Sequence, residues 1–110
     1  MKLESTSNSV RLYDFDTQIN SVLDVIAAEC QDYFEHNLII DLSQYRDFKT
    51  KDLDLFKQMA LQLKNNKKSF VIILKNIDFN KTPNFINVVP TLQEAHDLIE
   101  LEIIERDLGL

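Results

Sequence analysis

The chain has 110 residues, the usual size of one domain, and this length can bury one hydrophobic core without disulfides. Apolar residues make up 45% of the sequence and charged residues 27%, as in ordinary globular proteins, which argues against a disordered or multidomain chain. One glycine and two prolines leave little material for linkers. We therefore expect residues 1–110 to form a single domain.

The net charge of −6 is unevenly distributed along the chain. Residues 1–45 carry a net −6, residues 46–81 a net +5 and residues 82–110 a net −5. An acidic total argues against general binding to nucleic acid, which depends on neutralising phosphates. The basic middle segment interleaves few aromatic residues with its lysines, so stacking on single-stranded nucleic acid is not expected either.

The sequence predicts neither a membrane span nor a secretory segment. Residues 1–10 are polar, unlike a signal peptide, and the longest apolar run, Phe70–Leu74, is far too short to cross a bilayer. Cys30 is the single cysteine, which excludes an internal disulfide and fits a reducing compartment. We expect a cytoplasmic protein without membrane contact.

Two short strands, Leu3–Ser7 and Ser9–Phe15, are predicted at the start of the chain from a loose alternation of apolar and polar residues. A helix capped by Asp16 or Thr17 is predicted to run to about His36, because apolar residues recur there at spacings of three, four and seven. Its buried stripe consists of Ile19, Val22, Leu23, Ile26, Cys30 and Phe34.

Asn37 is predicted to end this helix in the left-handed conformation. The nearly continuous apolar run Leu38–Leu42 predicts a strand buried on both faces, as in parallel sheets. A loop, Ser43–Lys49, leads to a second helix with Thr50 as N-cap, and the helix dipole favours Asp52 in its first turn. The buried stripe of the second helix consists of Leu53, Phe56, Ala60 and Leu63.

Asn65-Asn66 is predicted to end the second helix. The β-branched centre of Phe70–Leu74 predicts a strand, the loop Lys75–Asn84 follows, and Phe85–Val89 is predicted to be a further strand. Thr91–Glu94 has the sequence of a capping box, in which the Thr and Glu side chains bind each other's backbone N–H groups, so a last helix is expected to begin there.

The last helix carries apolar residues on two faces. Leu101, Ile104 and Leu108 lie roughly 150–180° from the first apolar face at 100° per residue. The first face consists of Leu92, Ala95, Leu98 and Ile99. Either the helix bends near Glu100–Glu102, or the second face packs on a strand surface or on another chain. If this face packs on another chain, Leu101, Ile104 and Leu108 would be an oligomer contact, for instance in a homodimer.

The predicted elements alternate in the order β-β-α-β-α-β-β-α. This order indicates an α/β domain with a mixed sheet of four to five strands and helices packed on it. Ligands and partners of such sheets bind preferentially at the carboxyl ends of the parallel strands. The turn after Leu38–Leu42 therefore becomes the candidate site, with Asp41 and Ser43 at the strand end and Lys49, Thr50, Lys51 and Asp52 at the following helix start.

This order, together with Leu38-Ile39-Ile40-Asp41-Leu42-Ser43, resembles the STAS domain, the fold of bacterial anti-sigma-factor antagonists. The resemblance covers nearly the whole chain as topology, but as a motif only residues 38–43 and, less closely, Ile86–Glu94. The chain is also similar to short Bacteroidetes-type proteins ending in Glu-Arg-Asp-Leu-Gly. The resemblance implies a regulatory module that binds another protein, such as an anti-sigma-like regulator.

In that family the helix after the strand begins with an Asp-Ser-Ser-Gly-type motif whose serine is phosphorylated by a partner kinase. The matching stretch here is Lys49-Thr50-Lys51-Asp52-Leu53, in which Asp52 replaces the glycine and Lys51 the acceptor serine. Thr50 is thus the candidate phosphoacceptor, displaced by one position. The same helix start, with its unpaired N–H groups and flanking lysines, predicts an alternative function, the binding of a small ligand or nucleotide.

No catalytic, metal or cofactor motif is evident in the sequence. His36 and His96 lie sixty positions apart, neither has zinc-ligand spacing, and a single glycine excludes a glycine-rich phosphate loop. Asp14, Asp16 and Asp41 would meet in a receiver-type magnesium site, but a β-β-α beginning fits that fold badly. We therefore expect a non-catalytic interaction module without cofactor.

Overall fold

The computed structural model describes residues 1–109 of the chain. Within them five strands form one sheet in sequential order, with the first pair antiparallel and all other neighbours parallel. The strands are β1 (Lys2–Ser5), β2 (Val10–Tyr13), β3 (Leu38–Asp41), β4 (Phe70–Ile73) and β5 (Asn87–Val89). The predicted α/β class, element order and mixed sheet are confirmed, although most strands are shorter than predicted.

Three α-helices surround the sheet in the described part of the chain. They are α1 (Val22–Glu29), α2 (Lys57–Asn65) and α3 (Leu92–Asp107). Short 3₁₀ turns accompany them at Ile19–Ser21, Tyr33–Glu35, Thr50–Phe56 and Phe79–Lys81. No helix within residues 1–109 is both long and apolar enough to pass through a membrane.

The sheet has a core on each face, which explains the continuous apolar runs of β3 and β4. Because successive strand residues point to opposite faces, Ile40 and Ile72 pack toward α1 and α2, whereas Ile39 and Val71 pack toward α3. All four are fully buried. β3 and β4 therefore have no solvent-facing side, and their sequences do not alternate between polar and apolar residues.

The first predicted helix is wrong in length: α1 ends at Glu29, well before His36. Cys30 leaves the helical conformation at φ −132°, and Tyr33–Glu35 forms a separate 3₁₀ turn. Contacts with α2 hold that turn, since the Tyr33 hydroxyl donates to Gln62 and the Asn66 amide donates to the Phe34 carbonyl. Tertiary contacts thus override a helical repeat that continued in the sequence.

The second helix begins differently from the prediction. Lys49, not Thr50, is the capping residue, and Thr50–Phe56 is a 3₁₀ helix that passes into α2. Leu53 and Phe56 are both fully buried, and their spacing of three residues puts them on one face of a 3₁₀ helix with three residues per turn. From Met59 onward the buried spacing becomes that of an α-helix.

Asn37 was expected to be a left-handed helix stop, and this prediction is also wrong. Its side chain is buried and joins the amino ends of three strands: its amide donates to the Asn8 carbonyl at 2.7 Å, and its Oδ1 accepts from the Ser69 N–H at 2.8 Å. Arg106 of α3 donates to the Ser69 hydroxyl at 3.1 Å and to Asn37 Oδ1 at 3.4 Å. This network fixes the end of α3 to the sheet.

The last helix begins as predicted, with the Thr91 hydroxyl accepting from the Glu94 N–H at 3.2 Å. It continues as one helix to Asp107. Ala95 and Ile99 face the sheet and are fully buried. The second apolar face therefore does not pack on the strands of its own chain.

Candidate functional site

Asp41 ends β3 at the carboxyl edge of the sheet and is held from two sides. Its Oδ1 accepts from the Ser43 backbone N–H at 3.0 Å and from the Ser43 hydroxyl at 2.6 Å. Its Oδ2 accepts from Arg11 Nε at 3.1 Å and Nη2 at 2.8 Å. A side chain only 8% exposed thus has both oxygens satisfied, as a buried carboxylate requires.

Arg11 is placed for this pairing by the register of the sheet. It lies on β2 opposite Ile39 of β3. Asp41 is two residues after Ile39 and therefore on the same face of the sheet, within reach of the Arg11 side chain. Its guanidinium also lies 3.9 Å above the ring centroid of Tyr13 and 3.7 Å from the Glu4 carboxylate. These residues form a polar surface on the half of the sheet that α3 does not cover.

The environment of Asp41 favours its charged form. Burial alone would raise the pKa of this carboxyl, but the hydrogen bonds from Ser43 and Arg11 outweigh it and hold the pKa below its ordinary value. Asp41 is therefore an anion at neutral pH, fully engaged by its neighbours. Through Ser43 this anion supports the start of the turn.

Side chains of the turn after β3 fasten it to the loop after β2. Gln44 binds the backbone of Phe15 twice, with Oε1 accepting from the N–H at 2.8 Å and Nε2 donating to the carbonyl at 2.6 Å. The Tyr45 hydroxyl donates to the Thr17 carbonyl at 2.6 Å. These three hydrogen bonds hold the beginning of the turn against the loop after β2.

A shallow cavity of about 300 Å³ opens between these two segments. Asp14, which adopts the left-handed conformation at φ 54°, closes one side and forms a salt bridge of 3.1 Å with Lys2. The cavity is lined by Arg11, Tyr13, Asp14, Asp41, Ser43 and Gln44.

The helix start at residues 49–52 has a different geometry. The backbone N–H of Lys49 donates to the Asp52 carboxylate at 3.0 Å. Asp52 therefore occupies the position that an incoming anion would take at this N–H. Lys49 and Lys51 are exposed, and Thr50 is half-buried. This arrangement disfavours a small anion bound at the helix end.

The predicted site residues therefore fall into two groups. Asp41 and Ser43 bind each other and line the cavity, whereas Lys49, Thr50, Lys51 and Asp52 do not line it. Sequence reasoning missed Arg11, Tyr13 and Gln44, which are three of the six residues that line the cavity. The sequence did contain a signal for Arg11. It is a charged residue between the buried Val10 and Leu12, so it lies on the opposite face of β2 from both.

The other candidate groups do not converge. Within residues 1–109 no three histidine, cysteine or carboxylate side chains are placed to hold a metal ion. Asp14 pairs with Lys2 and Asp41 with Arg11, which overturns the receiver-type alternative for these two. Cys30 is buried, and burial raises the pKa of its thiol, an effect that Asp32 increases.

The second apolar face of α3 is exposed. Leu101 is 52% exposed, Ile104 55% and Leu108 69%, and none of them belongs to the hydrophobic cluster between α3 and the sheet. We call these three residues the α3 stripe. All three side chains of the stripe are therefore more than half exposed in the single chain.

Comparison with known proteins adds no relative. A scan against protein-family models, a search of curated proteins and a search of solved structures all returned no match.

Proposed function

We propose that the chain is a non-catalytic regulatory module, similar to anti-sigma-factor antagonists, which binds a partner protein with the turn at residues 43–52. The observation that carries the proposal is that the beginning of this turn is held in place, by Gln44 on Phe15 and by Tyr45 on Thr17. Binding surfaces fixed in advance lose little conformational entropy on association. The turn also follows a parallel strand at its carboxyl end, the usual position of binding sites in such sheets.

The chemistry of the turn indicates the kind of partner. Lys49 and Lys51 point into solvent beside Thr50, and neither forms a salt bridge with the described part of the chain. Exposed cations at the rim of an interface mainly steer and select an acidic partner surface. Phosphorylation of Thr50 would place about two negative charges between the two lysines and would change that selection.

Affinity capture with charge-reversed baits tests the proposal. The variant Lys49→Glu/Lys51→Glu and the variant Thr50→Glu are expected to lose proteins that the wild-type chain captures. The matched control, Lys64→Glu/Lys67→Glu, reverses the same charge at the opposite, amino end of the strands and is expected to keep every captured protein other than copies of the chain itself. If both turn variants retain every captured protein, the turn is not the contact site.

A further inference from the structure

A groove of about 420 Å³ separates the C-terminal half of α2 from that of α3, beyond the edge strand β5. Its apolar wall includes Leu61, which is 38% exposed, together with Phe85 and Ile86. Its rim carries Lys64, Lys67 and Lys68. We call this feature the lysine groove; the proposed contact at residues 43–52 does not use it.

The three lysines of this groove have no internal partner. None forms a salt bridge with another residue among residues 1–109. Of the α3 groups that line the groove, Glu102 accepts from the Asn87 amide at 3.4 Å and Arg106 donates to Ser69. Glu105 forms no salt bridge within residues 1–109, and the three lysines outnumber this carboxylate. The groove therefore presents an apolar wall with three free cations.

The α3 stripe has the opposite character. It offers exposed aliphatic side chains on a helix that carries six carboxylates and a single arginine. A symmetric pairing of two α3 stripes would bring two strongly acidic helices together, and like charges at an interface are repulsive. Charge thus disfavours the simplest helix-to-helix dimer and favours a basic, partly apolar surface as the counterpart of the stripe.

We infer that the α3 stripe of one copy of this chain docks into the lysine groove of a second copy. The aliphatic side chains would cover Leu61 and Phe85, and the α3 carboxylates would face Lys64 and Lys67. The two surfaces adjoin along α3, because Glu105 lines the groove and Ile104, its neighbour, belongs to the stripe. Adjoining complementary patches allow a closed two-fold dimer with two identical contacts.

Sedimentation velocity over a range of protein concentrations tests the inference. The wild-type chain is expected to form dimers at high concentration. The stripe variant Leu101→Ser/Ile104→Ser and the groove variant Lys64→Glu/Lys67→Glu are each expected to raise the dimer dissociation constant at least about tenfold, which corresponds to about 1.4 kcal/mol. The controls Leu3→Ser, at another residue 52% exposed, and Lys49→Glu/Lys51→Glu are expected to dimerise normally.

Mixing the stripe and groove variants separates this arrangement from any other dimer. In the mixture the intact stripe of the groove variant meets the intact groove of the stripe variant, so one of the two contacts is restored. The mixed dimer should therefore form more readily than either variant alone. A monomeric wild-type chain, a dimer insensitive to the groove variant, or a mixture without restored association would each overturn the inference.

Discussion

The Arg11 guanidinium binds the Asp41 carboxylate across β2 and β3, with Nη2 2.8 Å and Nε 3.1 Å from the same oxygen. Asp41→Asn removes the charge while it keeps the size of the side chain. We expect this change to lower the free energy of unfolding by about 2–3 kcal/mol at neutral pH, because hydrogen bonds to a charged group are lost. Denaturant titrations of Asp41→Asn, Arg11→Met and the double variant measure the coupling; strictly additive losses would show that the pair is not coupled.

The pair of Arg11 and Asp41 also predicts how the free energy of unfolding depends on pH. Since the pKa of Asp41 is lowered on folding, its contribution to stability is complete above the unfolded-state pKa of about 3.9 and disappears as the pH falls through the lower folded-state pKa. The difference in unfolding free energy between wild type and Asp41→Asn should therefore be constant from neutral pH to about pH 5 and shrink below about pH 4. A difference that stays constant under acid would contradict a lowered pKa.

Asn37 links the amino ends of the strands, and its truncation should be costly. Asn37→Ala leaves the buried N–H of Ser69 without its acceptor, and an unsatisfied buried group costs about 1–3 kcal/mol. Asn66 provides the matched control, because its amide also donates to a carbonyl but at an exposed position. Thermal unfolding should show a clear loss of stability for Asn37→Ala and a smaller loss for Asn66→Ala. Equal losses of stability would show that the buried hydrogen bonds of Asn37 contribute no more than the exposed one of Asn66.

Lys67 occupies the left-handed position after α2, at φ 59°. The backbone bonds Lys68 N–H to Leu63 carbonyl and Lys67 N–H to Lys64 carbonyl close a Schellman turn, in which glycine is the usual residue at this position. Lys67→Gly should therefore stabilise the chain by about 1 kcal/mol. Asn66→Gly, one residue earlier at φ −88°, should instead destabilise it. If urea unfolding shows that Lys67→Gly is less stable than the wild-type chain, the left-handed backbone at this position is not a source of strain.

Two isoleucines of α3 test which face of the helix packs on the sheet. Ile99 is fully buried and Ile104 is 55% exposed. Ile99→Ala should cost about 2–4 kcal/mol through lost burial and a cavity, whereas Ile104→Ala should change stability by at most about 0.5 kcal/mol at concentrations where the chain is monomeric. Equal losses in chemical denaturation would mean that α3 is rotated on the sheet.

The elements with strong local signals could be predicted from the sequence. β3 and β4 are continuous apolar runs, and Thr91 caps α3 within the capping-box sequence. The early end of α1 could not be predicted, because it depends on Tyr33 and Asn66 meeting across space. Local periodicity contains no information about such contacts.

The candidate site was predicted only in part, for a similar reason. Asp41 and Ser43 are neighbours in sequence, and their hydrogen bonds follow from local geometry. Arg11 and Gln44 reach their partners through the parallel pairing of β2 with β3, across about thirty residues of chain. Pairing of this kind is set by the register of the whole sheet, which no short motif specifies.

The central claim is that residues 43–52 form the contact with a partner protein. A photo-crosslinking amino acid in place of Thr50 tests it directly, with the same amino acid in place of the exposed Gln58 on α2 as control. We predict a discrete crosslinked partner from position 50, lost on adding Lys49→Glu and Lys51→Glu, and none of it from position 58. No adduct at position 50, or the same adduct from both positions, would contradict the account.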